Sequence, residues 1–365
     1  MKTGLVTTFD FLLSPLFPPL AMPSLTRLKT LARTLPPIQR GIFECHLGTN
    51  LARIDFGQGI LRHHSESHPL LAQIDAAALA GDGPAHPVWH RVHDFCAQWV
   101  EPASLLHAGI HTIWLEFDLD DGAVPAPAPS LFFTLKRKGL VVSEAQAIAE
   151  TALDLLLGES ARSRWQAGVR RCFDACRDVA RIHQVGVMLA RHPQVVRFCV
   201  AALPPGQIVP YLRQVGWQGP AAKLESLAAW LLGLVDCIDM VDLDVVGGQV
   251  QPQVGLECLF HRQPPREPRW AAFFDALVAR GLSAPAWRDA VLAWPGYSNP
   301  VSGPLPSLPD RLVLLNRRVS HVKLVYQPSH PLQAKAYLWF NRVEFALLPS
   351  QPEADDRSAA IEDGS

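Results

Sequence analysis

The chain has 365 residues, of which 48% are hydrophobic and 18% charged, with a formal net charge of −1. Near-neutrality excludes the basic footprint of a general nucleic-acid binder or of a protein docked on anionic membranes. No uninterrupted run of 18 apolar residues is available to span a bilayer.

Residues 1–23 open with Lys2 and an apolar run, in the manner of a secretion signal. Asp10 and the prolines at 15, 18 and 19 break that run, and no small-residue cleavage site follows. A flexible extension is therefore expected, with folding beginning near Met22 and a first helix over about 24–35. GIFECH (41–46) and ARIDF (52–56) then alternate polar and apolar residues on either side of Gly48-Thr49-Asn50, the pattern of a β-hairpin. His63, His64 and His68 follow in a segment read as a solvated histidine-rich loop rather than a zinc tract.

From here the pattern repeats. Helical spacing over 69–80 and 87–100 precedes TIWLEFDL (112–119) and SLFFTL (130–135), joined through the Pro/Ala run at 123–129. Helices over 143–157 and 162–182 precede VGVMLA (185–190) and VVRFCVAAL (195–203), joined at His192-Pro193. Helices over 207–215 and 221–235 precede MVDLDVV (240–246) and VGLECLF (254–260), joined at Gly247-Gly248. Helices over 268–280 and 284–293 precede HVKLVY (321–326) and LQAKAYLWF (332–340), joined over 327–331. Ser143 with Glu144 is a candidate N-cap, Gly158, Gly216 and Gly281 fall where helices should stop, and Trp294-Pro295-Gly296-Tyr297 reads as a packed cap. Beyond 349 the chain is acidic and poor in apolar residues, so 349–365 is expected to be a disordered tail.

About five ααββ units thus occupy 24–348, read as one domain of the α+β class. Successive strand side chains point to opposite faces. Ile113, Leu115, Phe117 and Leu119 share one face and Trp114, Glu116 and Asp118 the other, while Lys335, Tyr337 and Trp339 oppose Ala334, Ala336, Leu338 and Phe340. The apolar face calls for helices. The polar face cannot pack against nothing, so closure into a ten-stranded antiparallel barrel, which also removes the sheet edges, predicts a polar lumen.

That lumen is expected to hold the acids Glu44, Asp55, Glu116, Asp118, Asp242, Asp244 and Glu257 and the bases Arg53, Lys136, Arg197, Lys323 and Lys335. His46, His261, His321, Tyr337, Trp114 and Trp339 complete it. Seven cysteines, odd in number and without a CxxC, read as buried thiols of a reducing, cytoplasmic setting. A dinucleotide fingerprint, a P-loop, an HExxH helix and a GxSxG elbow are all absent from the sequence.

The repeat layout, with Glu116 on an early lumen strand and Lys335-Ala336-Tyr337 on the last, resembles the ABBA-type aromatic and peptide prenyltransferases, the PT barrels. The resemblance covers most of 24–345 and rests on architecture. It implies an allylic diphosphate donor and an aromatic or peptide acceptor inside the barrel. Glu116 and Asp118 would be catalytic, Glu116 by accepting the acceptor's N–H. Arg53, Arg197, Lys323, Lys335 and Tyr337 would hold the donor, and Trp114 and Trp339 would wall the cation. The fourth hairpin departs from the pattern, offering Asp242, Asp244 and Glu257 without lumen Lys or Arg. One reading makes these acids ligands of Mg²⁺ bridging to the diphosphate. Another is a barrel with different chemistry, or one that binds a ligand or peptide without catalysis.

Overall fold

The computed structural model describes residues 12, 22–35, 39–48, 53–62, 70–72, 74, 86–119, 128–137, 139–176, 179–189, 195–298 and 311–346. The histidines at 63, 64 and 68, the end of the helix expected at 69–80, most of the Pro/Ala run, His192-Pro193 and the acidic tail lie outside them.

Ten strands form five antiparallel hairpins: β1 (Arg40–His46) with β2 (Ile54–Leu61), β3 (Ile110–Phe117) with β4 (Ser130–Leu135), β5 (Arg181–Val187) with β6 (Val195–Ala201), β7 (Cys237–Val246) with β8 (Gln249–Leu259), and β10 (Arg311–Tyr326) with β11 (Gln333–Ala346). Neighbouring hairpins pair in sequence order, and β11 returns to β1, so the sheet closes. A three-residue strand, β9 (Gly296–Ser298), pairs with the far end of β10. The ten-stranded barrel expected from the alternation is therefore present.

Helices coat the outside: α1 (Met22–Thr34), α2 (His86–Val100), α3 (Leu105–Gly109), α4 (Val142–Leu157), α5 (Arg162–Cys176), α6 (Ile208–Gln214), α7 (Ala221–Leu232), α8 (Arg269–Ala279) and α9 (Pro285–Ala293). None of the described helices is long and apolar enough to cross a membrane. The expected helix over 162–182 ends instead at Cys176, because Ile182 and Val185 already belong to the buried face of β5. At the start of α4 the Glu144 carboxylate accepts the Val141 N–H at 3.1 Å, so the cap lies before Ser143. Three elements were not legible in advance: α3, the short β9 within the segment read as a packed cap, and the first ten residues of β10, where Asn316, Arg317 and Arg318 obscure the strand pattern.

Burial alternates as the period-2 argument requires. Along β1, Phe43 and Cys45 are fully buried while Ile42, Glu44 and His46 are half-buried. The apolar core is the layer between the barrel's outer face and the helices. Phe43 anchors one sector, with its ring centroid 5.6 Å from Phe56, 5.4 Å from Phe340 and 5.9 Å from Trp294. Large indoles fill the layer, and most of them satisfy their N–H groups, those of Trp89 and Trp165 being exceptions. Trp99 donates to the Ile110 carbonyl, Trp217 to Pro252, Trp270 to Arg262 and Trp294 to Arg318, at 2.8–3.2 Å. The cysteines are free thiols, and those at 45, 96, 172, 176, 199 and 258 are buried.

Phe43→Ala would empty a site bounded by three rings. A loss of about 3–5 kcal/mol is expected, read as a lowered urea midpoint at unchanged slope; a loss below about 1 kcal/mol would mean that this layer is not close-packed.

Candidate functional site

Cross-strand register decides which charges meet in the lumen. Arg197 on β6 stands opposite Asp244 on β7, and its guanidinium donates to both carboxylate oxygens at 2.7 and 3.0 Å, a bidentate pair. Lys323 on β10 stands opposite Glu257 on β8 and Lys335 on β11. Its ammonium lies 2.5 Å from Asp242 and 3.2 Å from Glu257. Glu44 on β1 faces Tyr337 on β11 and Asp55 on β2. It accepts hydrogen bonds from Lys335 Nζ and the Tyr337 hydroxyl, each at 2.5 Å. Asp55 accepts from Arg53 and from the Leu119 N–H, with His46 Nε2 at 3.1 Å. The lumen charges form a belt around the inner wall.

Two cavities share that belt. The first, about 310 Å³, is lined by His46, Arg53, Arg197, Lys323, Lys335 and Tyr337 together with Asp242, Asp244, Gln253 and Gln333. The second, about 190 Å³, is lined by Trp114, Glu116, Phe132, His183, Met240 and His321, with Glu44 and Glu257. Arg197, Lys323 and Tyr337 line both and so stand between them. Room for the Lys323 stem comes from Gly255 on β8: a Cβ there would sit 3.1 Å from Asp242 and 3.2 Å from Lys323 Cδ. The indole of Trp114 likewise lies over Gly59, where a Cβ would come within 2.8 Å of the ring.

Four of the donor-binding candidates, Arg53, Arg197, Lys323 and Lys335, thus come together with Tyr337. Glu116 and Trp114 meet in the adjoining cavity. Asp118 lies just beyond β3, 3.7 Å from Arg53, and Trp339, next along the Tyr337 face, lines neither cavity. Lys136 and His261, expected in the lumen, lie past the ends of β4 and β8. His261 is exposed, its N–H donating to Asp236 at 2.8 Å. Sequence alternation missed His183, Gln184 and Ser320. The register shifts between Ile182 and Gln184 on β5 and between Val319 and His321 on β10, and each irregularity lets two consecutive residues line one cavity.

Burial and pairing set the protonation pattern. Burial alone would raise the Glu44 carboxyl, but Lys335, His46 and Lys323 hold it well below the usual carboxylate range. Asp242 is raised, first by burial and then by the neighbouring Glu257, with Lys323 and Arg197 opposing. Burial disfavours the Lys323 ammonium, yet Asp242, Tyr337 and Glu257 keep it charged well past its ordinary range. The Tyr337 phenol is pushed up by burial and by Glu44, so it serves as a donor. Its ring stacks on His321 at 4.2 Å, and the Lys323 ammonium lies 4.8 Å from the ring centroid, a cation–π geometry. His321, buried and beside Lys323, falls to about 3.

A resident divalent ion is a poor fit to these donors. Asp242 and Glu257 already share the Lys323 ammonium, and Asp244 holds Arg197. Among the described residues, Glu44, His46 and Asp55 offer atoms within 4.8 Å of one another. Their oxygens, however, are met by Lys335, Tyr337, Arg53 and the Leu119 N–H. An ion at either place would compete with a cation already there, although Asp242 Oδ1 and Glu257 Oε2 carry no hydrogen bond.

Comparison with known proteins finds no family model and no curated protein that matches the chain. Solved structures do match. The chain is similar to AnaPT from Neosartorya fischeri, with a TM-score of 0.52 and 16% identity over 84% of this chain and 78% of that one. It is also similar to 6-dimethylallyltryptophan synthase from Micromonospora olivasterospora, solved in complex with DMASPP and Trp, with a TM-score of 0.48 and 14% identity over 82% and 81% of the two chains. The fold is the PT barrel.

The buried imidazole of His321 gives the barrel an acid-side weakness. It stays neutral in the folded state down to about pH 3, whereas the unfolded chain takes up that proton below 6.5. Stability is therefore whole above pH 6.5 and declines as pH falls toward 3, by up to about 1.4 kcal/mol per unit. His321→Gln should remove this share, so urea unfolding between pH 6 and 4 should show the wild type losing about 2–3 kcal/mol more than the variant. Parallel losses would contradict a buried neutral His321.

Proposed function

We propose that this chain is a prenyltransferase that moves an allylic isoprenoid from its diphosphate to an aromatic acceptor, a small molecule or a peptide side chain, inside the barrel. The observation that carries this reading is the convergence of Arg53, Arg197, Lys323, Lys335 and Tyr337 on one cavity, with Arg197, Lys323 and Tyr337 forming its boundary with a second cavity that contains Glu116 and Trp114. The PT-barrel fold agrees with it as an analogy.

On this reading the diphosphate occupies the first cavity. Its C–O bond breaks heterolytically, the bonding pair leaving with the diphosphate oxygen, where Arg197, Lys323 and Lys335 stabilise the developing charge. The allylic cation forms beside Tyr337 and faces the π surfaces of Tyr337 and Trp114. The acceptor lies in the second cavity with its N–H or O–H on Glu116. Its π electrons form the new bond to the prenyl carbon, and the proton it gives up passes to Glu116. No step is routed through Mg²⁺, because Lys and Arg already stand where a metal would neutralise phosphate charge. Ion pairing has a further role here: Asp242, Asp244, Glu257 and Glu44 hold the cations in position without donor, and the diphosphate takes over part of that pairing when it binds.

A second reading is favoured by the acids themselves. Glu44, Glu116 and Glu257 all line the 190 Å³ cavity, an arrangement suited to a cationic ligand. The two readings separate in one experiment. Dimethylallyl, geranyl and farnesyl diphosphates are each incubated with the protein and a panel of indoles, phenols and Trp- or Tyr-containing peptides, and products are read by mass spectrometry. Prenyl transfer is expected without added metal, falling by about 10²–10⁴ in Glu116→Gln. A ligand at 100 times its Kd also raises folded-state stability by about 2.7 kcal/mol, so donor should raise the melting temperature of wild type and not of Lys323→Met. Neither product nor melting shift at millimolar donor would reject the prenyltransferase reading, and a shift with amines alone would establish the second.

A further inference from the structure

Another cavity, about 330 Å³, lies outside the barrel wall between α2, the junction of α4 and α5, and the β7–β8 turn. It is lined by Arg91, Arg164, Ser160, Trp165, Leu157 and Ala161, with Gly247 at its barrel side. Its electrostatics are opposite in kind to those of the lumen. In the lumen each donor-binding cation meets a carboxylate. Here no acidic residue lines the space, and neither Arg91 nor Arg164 has a carboxylate within ion-pair distance among the described residues. Of the acids near these residues in sequence, Asp154 pairs with Arg162 and Glu150 with Arg170, while Glu159, next to Ser160, and Asp94, three residues from Arg91, do not line the cavity.

Two further features point the same way. Arg91 Nη1 is anchored on the Leu156 carbonyl at 3.4 Å, which fixes a half-buried guanidinium at the cavity wall. The Trp165 indole N–H is buried without a partner, although the residue is only 3% exposed. Trp99, Trp217, Trp270 and Trp294 satisfy theirs with a carbonyl, whereas the Trp89 N–H, which does not line this cavity, is likewise without a partner. An orphaned buried donor costs free energy unless a ligand or water accepts it.

We infer that this cavity is a second ligand site, separate from the lumen, for a small organic anion: a phosphate or carboxylate carried on a flat apolar body. The anionic group pairs with Arg91 and Arg164 and takes hydrogen bonds from Ser160 and the Trp165 N–H. The apolar body rests on Leu157, Ala161 and the Trp165 ring. The cavity also touches the rim of the barrel. Gly247 belongs to the β7–β8 turn, and the guanidinium of Arg171, on α5 like Arg164, donates to the Gly248 carbonyl. Occupancy therefore bears on the hairpin that carries Asp242 and Asp244 into the first cavity. The inference does not rest on the prenyltransferase reading.

The test is isothermal titration of the full chain with phenyl phosphate and, separately, benzoate. Wild type, Arg91→Gln/Arg164→Gln and the lumen variant Lys335→Met are compared. Binding is expected in wild type for one or both probes, unchanged in Lys335→Met and at least about tenfold weaker in the double variant, where both charge-assisted contacts are gone. Stronger binding of phenyl phosphate identifies a phosphate ligand and stronger binding of benzoate a carboxylate. Both arginines are outside the packed core, so a matching thermal melt of the double variant separates lost binding from lost folding. No heat from either probe at millimolar concentration in wild type overturns the inference. So does equal affinity in the double variant, or loss in Lys335→Met alone, which would place the probe in the lumen.

Discussion

The buried ammonium of Lys323 is the constraint on which the lumen depends. It is 7% exposed and sits on a strand whose neighbours on both sides are fixed by a closed sheet. An ion moved from water into such a place costs several kcal/mol unless close charges and hydrogen bonds replace its hydration. The barrel supplies Asp242 at 2.5 Å and Glu257 at 3.2 Å, both equally buried, with the Tyr337 ring on another side. Gly255 is required for the same reason, because any larger residue would press on the lysine stem and on Asp242.

From Lys323 the belt extends in both directions. Toward β6 it continues through Asp242 and Asp244 to Arg197; toward β2 it passes through Tyr337 and Lys335 to Glu44, His46 and Asp55. A buried ion-pair network of this kind is weak evidence for stability, and its better-attested value is in fixing geometry. Here it holds several cations and one phenol toward a single cavity before any ligand arrives. That preorganisation is what electrostatic catalysis on a charged leaving group needs. The acids that impose it also tune the site: a ligand must match the cations better than Asp244, Glu44 and the Asp242–Glu257 pair do.

Much of this was legible in the residues. Alternation in IWLEFDL and QAKAYLW, hairpin turns at regular spacing and pairs of amphipathic stretches were sufficient to read a closed ten-stranded barrel, and the same alternation put Glu116, Lys323, Lys335 and Tyr337 on its inner face. Alternation does not encode register. It could place Arg197 and Asp244 in the lumen but not opposite one another, nor Glu44 between Lys335 and Tyr337. It also fails at irregularities. His183 beside Gln184 and Ser320 beside His321 enter one cavity only because their strands slip by a residue. The division of the lumen into two cavities arises from three side chains on three strands, β6, β10 and β11, and no local pattern contains it. The cavity at Arg91 and Arg164 is likewise made by elements far apart in sequence.

The most direct measurement is a crystal structure of the protein soaked with a non-hydrolysable allylic thiodiphosphate. The account predicts diphosphate density in the 310 Å³ cavity, with Arg197, Lys323 and Lys335 within hydrogen-bond reach, and the allylic chain directed past Tyr337 toward Trp114 and Glu116. An empty lumen at saturating ligand, with Lys323 still held between Asp242 and Glu257, would contradict it.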